Sequence, residues 1–452
     1  MALPDEHKWR YIFHFTDIEN LDSIIKNGLL STNAKNALSI KHKNIANKTI
    51  QKRRSNMDVP VGAGGKVHDY VPFYFSSINP MLLRQMNEKN VDQNLIIYFC
   101  VKIQRLVKED AVFTSASANT NDPPTFYGDV KDLDKLDWQA IDKKAWGVAS
   151  DEERHKKMAE ALIHKKVNIH EIDAILVFNN EIKIEVKKVF DENGVQPPAI
   201  IFDGDKRVMN YRFYYKKFFI SGQKYCSLVT GPLTLLSQYK NLIQEIKDQR
   251  QEDKKSYPYK TIKDLLDALG KDITVIPELK AVENLLQDYE PHNDTVGDHT
   301  KNVVAMMKKQ NYYNIASDEK KDILLLSSYL HDIGKGPKNK WKDGKMNRAY
   351  PDHPADAIPM LKRILIDEIE NLSDEEIRLV CMLVIYHDVV GDCIEKERDI
   401  NQVVKVIDNV DDLEMLFAIA CADVETINHL WGNDMFCKKS IFFEEVLQLK
   451  QA

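Results

Sequence analysis

Two groups of residues in this 452-residue chain have the types and spacing to do chemistry. One lies in residues 50–82, IQKRRSNMDVPVGAGGKVHDYVPFYFSSINPML. There Arg53 and Arg54 feed a glycine-rich turn and then the aromatic run 68–75, interrupted by Pro72. Clustered cations, glycine backbone and flat rings suit a site where phosphate meets the chain and rings flank a planar group. The other group is spread along the second half: His299, His331 with Asp332, His353, His387 with Asp388, and Asp423. One inward histidine is ordinary packing. Four histidines, two followed directly by aspartate, supply the mixed imidazole and carboxylate donors of a divalent-metal centre.

Those side chains need elements to position them. Residues 10–16, RYIFHFT, read as a short strand bearing His14 and Thr16. A short helix over 20–30 has Leu21, Ile24 and Ile25 on one face and Gly28 at its stop. A helix over 82–90 and a buried strand over 95–102, LIIYFCVK, come next. The polar stretch 113–150 reads as a long irregular connection, a class that in compact domains is usually functional. A charged helical turn over 151–160 ends at Glu160. Residues 172–179 and 182–186 predict a hairpin with Asn179 and Asn180 at its tip, and the aromatic 211–215 closes a mixed α/β domain.

Residues 233–255 are amphipathic, then strongly charged, and read as a helical linker. From Thr261 onward the periodicity is helical, with no strand. Ser373 and Glu376 make a capping box. On the helix it starts, Ile377, Val380, Val384 and His387 share a face, so His387 projects inward; His299, Val303 and Met306 group likewise. The expected organisation is an α+β domain over 1–222, a linker over 223–258 and an all-α domain over 259–452.

The net charge of -6 hides an asymmetry: residues 1–225 sum to about +5 and residues 226–452 to about -11. Residues 35–66 hold eight Lys or Arg against the single acid Asp58, which suits a nucleic-acid backbone. The acidic second half suits a small nucleotide or a chain end better than extended nucleic acid. Six scattered cysteines without C-x-x-C spacing, no secretory leader and no membrane-length apolar run point to a reduced, cytoplasmic protein.

Several strings in the first half occur in the order seen in DarT-type DNA ADP-ribosyltransferases. They are His14-Phe-Thr16, Gly28-Leu-Leu30, residues 50–54, HDYVPFYF at 68–75, Pro80-Met-Leu82 and Met158-Ala-Glu160, and the resemblance spans about residues 8–220. It implies an α+β ADP-ribosyltransferase fold that uses NAD⁺ to modify a base of single-stranded DNA, thymine favoured and guanine in one branch. It further implies a toxin or phage-defence role, with a macrodomain antitoxin as a possible partner. Glu160 matches the family's catalytic glutamate, offsetting oxocarbenium-like charge as the nicotinamide–ribose bond breaks. Arg54 matches the second catalytic position, with Arg53 the neighbouring alternative. His14 and Thr16 match NAD-contacting positions, and Tyr70, Phe73 and Tyr74 can stack on nicotinamide or the target base, though each also reads as core. A thymine inside a duplex has its pairing edge occupied, hence single-stranded DNA.

The string Tyr329-Leu-His-Asp-Ile-Gly-Lys335 resembles the signature of HD-domain phosphohydrolases over about residues 290–430. That resemblance makes His299, His331, Asp332, His353, His387 and Asp423 the metal ligands, for Mn, Ni, Fe, Zn or Mg, and Lys335 a phosphate contact. It implies an all-α domain acting on a nucleotide. A second reading makes the chain an HD phosphohydrolase whose first half is an RNA-directed transferase or a degenerate NAD- or nucleic-acid-binding module.

Overall fold

The β-branched and aromatic runs of the first half pair into one eight-stranded sheet. Its spatial order is Ala199–Ile201, Ala174–Leu176, Ile96–Lys102, Tyr11–Asp17, Tyr70–Tyr74, Glu160–His164, Ala111–Thr114 and Phe126–Tyr127. Neighbours run antiparallel, except Ala199–Ile201 on Ala174–Leu176, which is parallel. The computed structural model describes residues 3–46, 48–119, 123–148, 150–202, 216–221, 225–252 and 256–451. It divides into one unit of Met1–Asn87 with Val91–Lys217 and another of Glu88–Asn90 with Phe218–Ala452. The aromatic segment 211–215 lies outside the described residues.

Period-two alternation places the site of the first unit. On Tyr70–Tyr74, Val71 and Phe73 enter the core with Phe99 and Phe113, while Tyr70, Pro72 and Tyr74 line a cavity. Phe73 is thus a core residue and no stacking partner, contrary to the expectation. Two other elements differ from their sequence reading. Glu160 opens a strand, because the helix Asp151–Lys157 stops before it. The expected hairpin is strand Ala174–Leu176 followed by helix Asn180–Glu192, whose N-cap Asn179 accepts from the Ile182 amide. Asn-Asn signals a turn and a helix cap equally, and Ile182, Val186 and Phe190 then form one buried helical stripe. The stretch 113–150 is not wholly irregular, since it holds Phe126–Tyr127 and the helix Trp138–Ile141.

Among its described residues the second unit is helical apart from two short strand pairs, Leu286–Gln287 on Lys345–Met346 and Phe218–Ser221 on Tyr225–Leu228. The stretch expected as a linker forms helix Pro232–Glu252, whose Leu235, Tyr239, Leu242 and Ile246 are buried in the second core. At its end Arg250 donates to the carbonyl of Leu365, in the last turn of helix Ile358–Asp367, and to those of Ile369 and Glu370 just beyond it. The Ser373–Glu376 capping box forms as expected, at the start of helix Asp374–Ile385. Among the described residues no helix is long and apolar enough to cross a membrane.

Candidate active site and metal centre

The cavity of the first unit holds about 330 Å³ and is lined by His14, Thr16, Arg54, Tyr70 and Tyr74 among others. Register explains the meeting of distant residues: Tyr74 pairs directly with Glu160 across the sheet. Arg54 reaches the same place from helix Lys48–Asn56. Its two terminal nitrogens donate to the two Glu160 oxygens at 2.7 and 2.8 Å, and the Ala118 amide donates to Glu160 Oε1 at 2.9 Å. Arg54 is 6% exposed and Glu160 0%, so this is a buried, bidentate ion pair with Arg54 on the cavity side. Burial opposes the Arg54 charge but Glu160 outweighs it, raising its pKa. Arg53 is exposed and does not line the cavity, which separates the two arginines.

His14 Nδ1 lies 2.8 Å from the Pro72 carbonyl. A carbonyl only accepts, so Nδ1 carries the hydrogen and Nε2 keeps a lone pair. Burial lowers the ring's pKa to about 4, and it stays neutral at physiological pH. Thr16 accepts a bond from Asn20 Nδ2 at 2.8 Å, and Asn20 also bonds Lys43 in both directions, tying the basic loop to the strand. Asn20 lines the cavity too; a buried polar residue at a helix start was its only sequence signal. Burial raises the Tyr74 hydroxyl, helped by Glu160. The glycine turn does not approach the cavity. Gly62, Gly64 and Gly65 take positive φ to fold it on itself, and Tyr70 donates its hydroxyl to the Gly64 carbonyl at 2.8 Å.

In the second unit the expected donors converge. His331, His353 and His387 are held alike, each Nδ1 2.7–2.8 Å from the carbonyl three residues before it: Ser328, Tyr350 and Val384. Each therefore presents an Nε2 lone pair inward. His331 Nε2 is buried with no hydrogen-bond partner, and those of His353 and His387 face each other at 3.0 Å. Two lone pairs so close repel unless a proton or cation lies between them. Without a cation the proton sits on His387, which overcomes burial through Asp388, Asp423 and Asp332 to reach about 9, while burial takes His353 down to about 4.

Asp332 is central, its Oδ2 3.3 Å from His331 Nε2 and its Oδ1 3.4 Å from His353 Nε2. The donors form three overlapping groups, His299 with His331 and Asp332, Asp332 with His353 and His387, and His387 with Asp388 and Asp423. Within each group the ligand atoms lie within 4.8 Å of one another. Asp423 Oδ1 also sits 2.8 Å from His299 Nε2. An orphaned His331 nitrogen and converging imidazoles around shared carboxylates fit divalent cations. Asp388 joins the expected ligand set; its signal was the His387-Asp388 pair itself. Lys335 does not stand free for phosphate, because Nζ donates to Asp332 Oδ2 at 2.6 Å and to Gln287 Oε1 at 2.9 Å. Gly334 permits this packing, since a Cβ there would lie 1.8 Å from the His353 carbonyl oxygen.

Residues 13–206 match the family model "DarT: ssDNA thymidine ADP-ribosyltransferase, DarT", and residues 296–416 match the HD domain. The DNA ADP-ribosyl transferase of Thermus sp. (strain 2.9) is 33% identical over 185 residues, covering 40% of this chain and 87% of that protein. The DNA ADP-ribosyl transferase–DNA ADP-ribosyl glycohydrolase fusion protein of Thermosipho africanus is 25% identical over 190 residues, 42% of this chain and 47% of that protein. Among solved structures, Thermus sp. 2.9 DarT in complex with ADP-ribosylated ssDNA aligns at 29% identity and a TM-score of 0.41, covering 48% of this chain and 99% of that one. A third of the residues shared over nearly the whole of the Thermus relative settles the lineage of the first unit: the chain belongs to the DarT family of DNA ADP-ribosyltransferases, and an HD domain follows.

Proposed function

We propose that the first unit transfers ADP-ribose from NAD⁺ to a base of single-stranded DNA, thymine above the others. The buried Arg54–Glu160 pair beside a cavity that His14 and Tyr74 also line carries this reading. Cleaving the nicotinamide–ribose bond builds positive charge on the ribose. The Glu160 carboxylate, shielded from water, offsets that charge at short range. Arg54 is a poor proton acceptor, but the two parallel bonds it now gives Glu160 suit a phosphate or a base carbonyl equally well. Neutral His14 accepts from a ribose hydroxyl through Nε2.

The second unit, on the same reading, is a metal-dependent phosphohydrolase for a small nucleotide. His299, His331, Asp332, His353, His387, Asp388 and Asp423 would hold the cations, which supply an activated water and a clamp for phosphoryl oxygens when bound. Lys335 and Gln287 orient Asp332. The whole acts in the cytoplasm as a toxin or phage-defence enzyme, with a macrodomain protein as its antitoxin. The Thermosipho relative, which joins its transferase to a glycohydrolase, gives precedent for a second enzyme beside the first.

The test is mass spectrometry of single-stranded oligonucleotides of differing base content after incubation with NAD⁺. One ADP-ribose of added mass, on thymine-containing strands and lost in Glu160→Ala, is expected. No gain on any strand, or the same gain with the variant, refutes the transferase reading.

A further inference from the structure

Beside the metal-ligand cluster stands a feature that metal binding does not use. Tyr289 and His292 lie in the segment joining Leu286–Gln287 to the helix Val296–Met307. Their rings are 5.1 Å apart, and His292 packs edge-on against His299 at 5.5 Å. Both are partly exposed and their planes are tilted by 55°, so they form an angled ring wall between ligand and solvent. The wall is held from behind by polar contacts. Gln287, fully buried, accepts from Lys335 at 2.9 Å and donates to Asp294 at 3.3 Å, and Asp294 lies 3.8 Å from His292.

We propose that this centre hydrolyses the pyrophosphate of an adenosine diphosphoribose group, with the nucleoside end lying against Tyr289 and His292. The inference rests on the phosphohydrolase and transferase readings above. The two donor groups that share Asp332 would hold divalent cations, which would supply positive charge to a pyrophosphate when bound. The acidic unit disfavours a long polyanion. With the planes 55° apart, one ring can stack on a flat base while the other meets its edge. The first unit's donor and its product both contain this one pyrophosphate, so the same chain brings substrate and hydrolase together. In the reaction a water oxygen bonds to one phosphorus and the bridging P–O bond breaks. AMP and a 5-phosphoribosyl group leave, and the water's protons pass to the new phosphate or to solvent. No oxidant or further reactant is needed.

The full chain, supplied with Mn²⁺, is incubated separately with NAD⁺, free ADP-ribose, an oligonucleotide it has itself modified, and bis(p-nitrophenyl) phosphate. AMP release from at least one adenosine diphosphoribose source, lost in His331→Ala, is expected, and the arms identify the source. In Tyr289→Leu and His292→Ala, KM for that source should rise about tenfold while cleavage of the nitrophenyl ester changes less than about twofold. Binding of α,β-methylene ADP-ribose should slow amide hydrogen exchange across residues 286–299 in the wild type, and less in both variants. Ester cleavage without AMP overturns this inference and leaves the phosphohydrolase reading standing. No cleavage of anything overturns both. Absence of protection at 286–299 overturns the wall.

Discussion

Removing one partner of the Arg54–Glu160 pair gives the sharpest test of the first site, because it separates folding from chemistry. Arg54→Met leaves the Glu160 carboxylate fully buried with, among the described residues, one remaining donor, the Ala118 amide. An unpaired buried charge of this kind costs about 3–5 kcal/mol. Glu160→Gln strands the guanidinium with a neutral partner, at a cost of about 1–3 kcal/mol. In Arg54→Met/Glu160→Gln neither charge remains to be stranded. The double variant should therefore be more stable than Arg54→Met alone, with a coupling of about 3 kcal/mol that exceeds the cost of Glu160→Gln. The chain has two units and global unfolding would blur them, so the assay is amide exchange in peptides covering 160–164 and 70–74. At about 1.4 kcal/mol per factor of ten, Arg54→Met should speed exchange there by roughly 10²–10³, and the second change should recover about fivefold. All three variants should lack transferase activity. Equal exchange in Arg54→Met and wild type would refute the buried-pair reasoning, as would additive effects in the double variant.

Three further outcomes follow from other residues. With His14 held neutral down to about pH 4, transfer by the wild type should show no His14 inflection between pH 5 and 8, and His14→Ala should lower the rate without changing the profile. Gly334→Ala drives a methyl into the His353 carbonyl; overpacking of about 1–3 kcal/mol should displace His353, and mass-spectrometric metal analysis should show a lowered metal-to-protein ratio. Glu171 is opposed by burial but held down to about 2 by Lys108, the Asn168 amide and Arg105. Its contribution is complete above its unfolded value of 4.5 and is lost as pH falls from 4.5 toward 2. Allowing for solvent screening, Glu171→Gln should cost about 1 kcal/mol at pH 7, read as roughly fivefold faster amide exchange in peptides of the first unit, a gap that closes near pH 2.

What could be read from the sequence depended on the scale of the cause. Local causes were legible: the Ser373–Glu376 box, the buried strand Ile96–Lys102, and a helix face ending in His387 all rest on residues within a turn or two. Asn179-Asn180 was local as well but ambiguous, and only the packing of Ile182, Val186 and Phe190 decides for a helix. The choice between Arg53 and Arg54 needed a partner 106 residues away, which no spacing rule supplies. Phe73 was misassigned because an aromatic run names ring-bearing positions, while strand alternation decides which rings reach the cavity.

Lys335 shows how far a signature carries. The string HDIGK resembles the HD-domain signature and places a lysine beside the candidate metal ligands, yet the side chain's contacts are set by Asp332 and Gln287, one of them 48 residues earlier. With Nζ committed to both, a charge that looked available to substrate instead stabilises a ligand carboxylate and braces the loop bearing Tyr289 and His292. Substrate contact is then left to side chains outside the signature. Selectivity in the second unit should accordingly move with Tyr289 and His292, while Lys335→Met should weaken metal binding and lower every phosphohydrolase activity together.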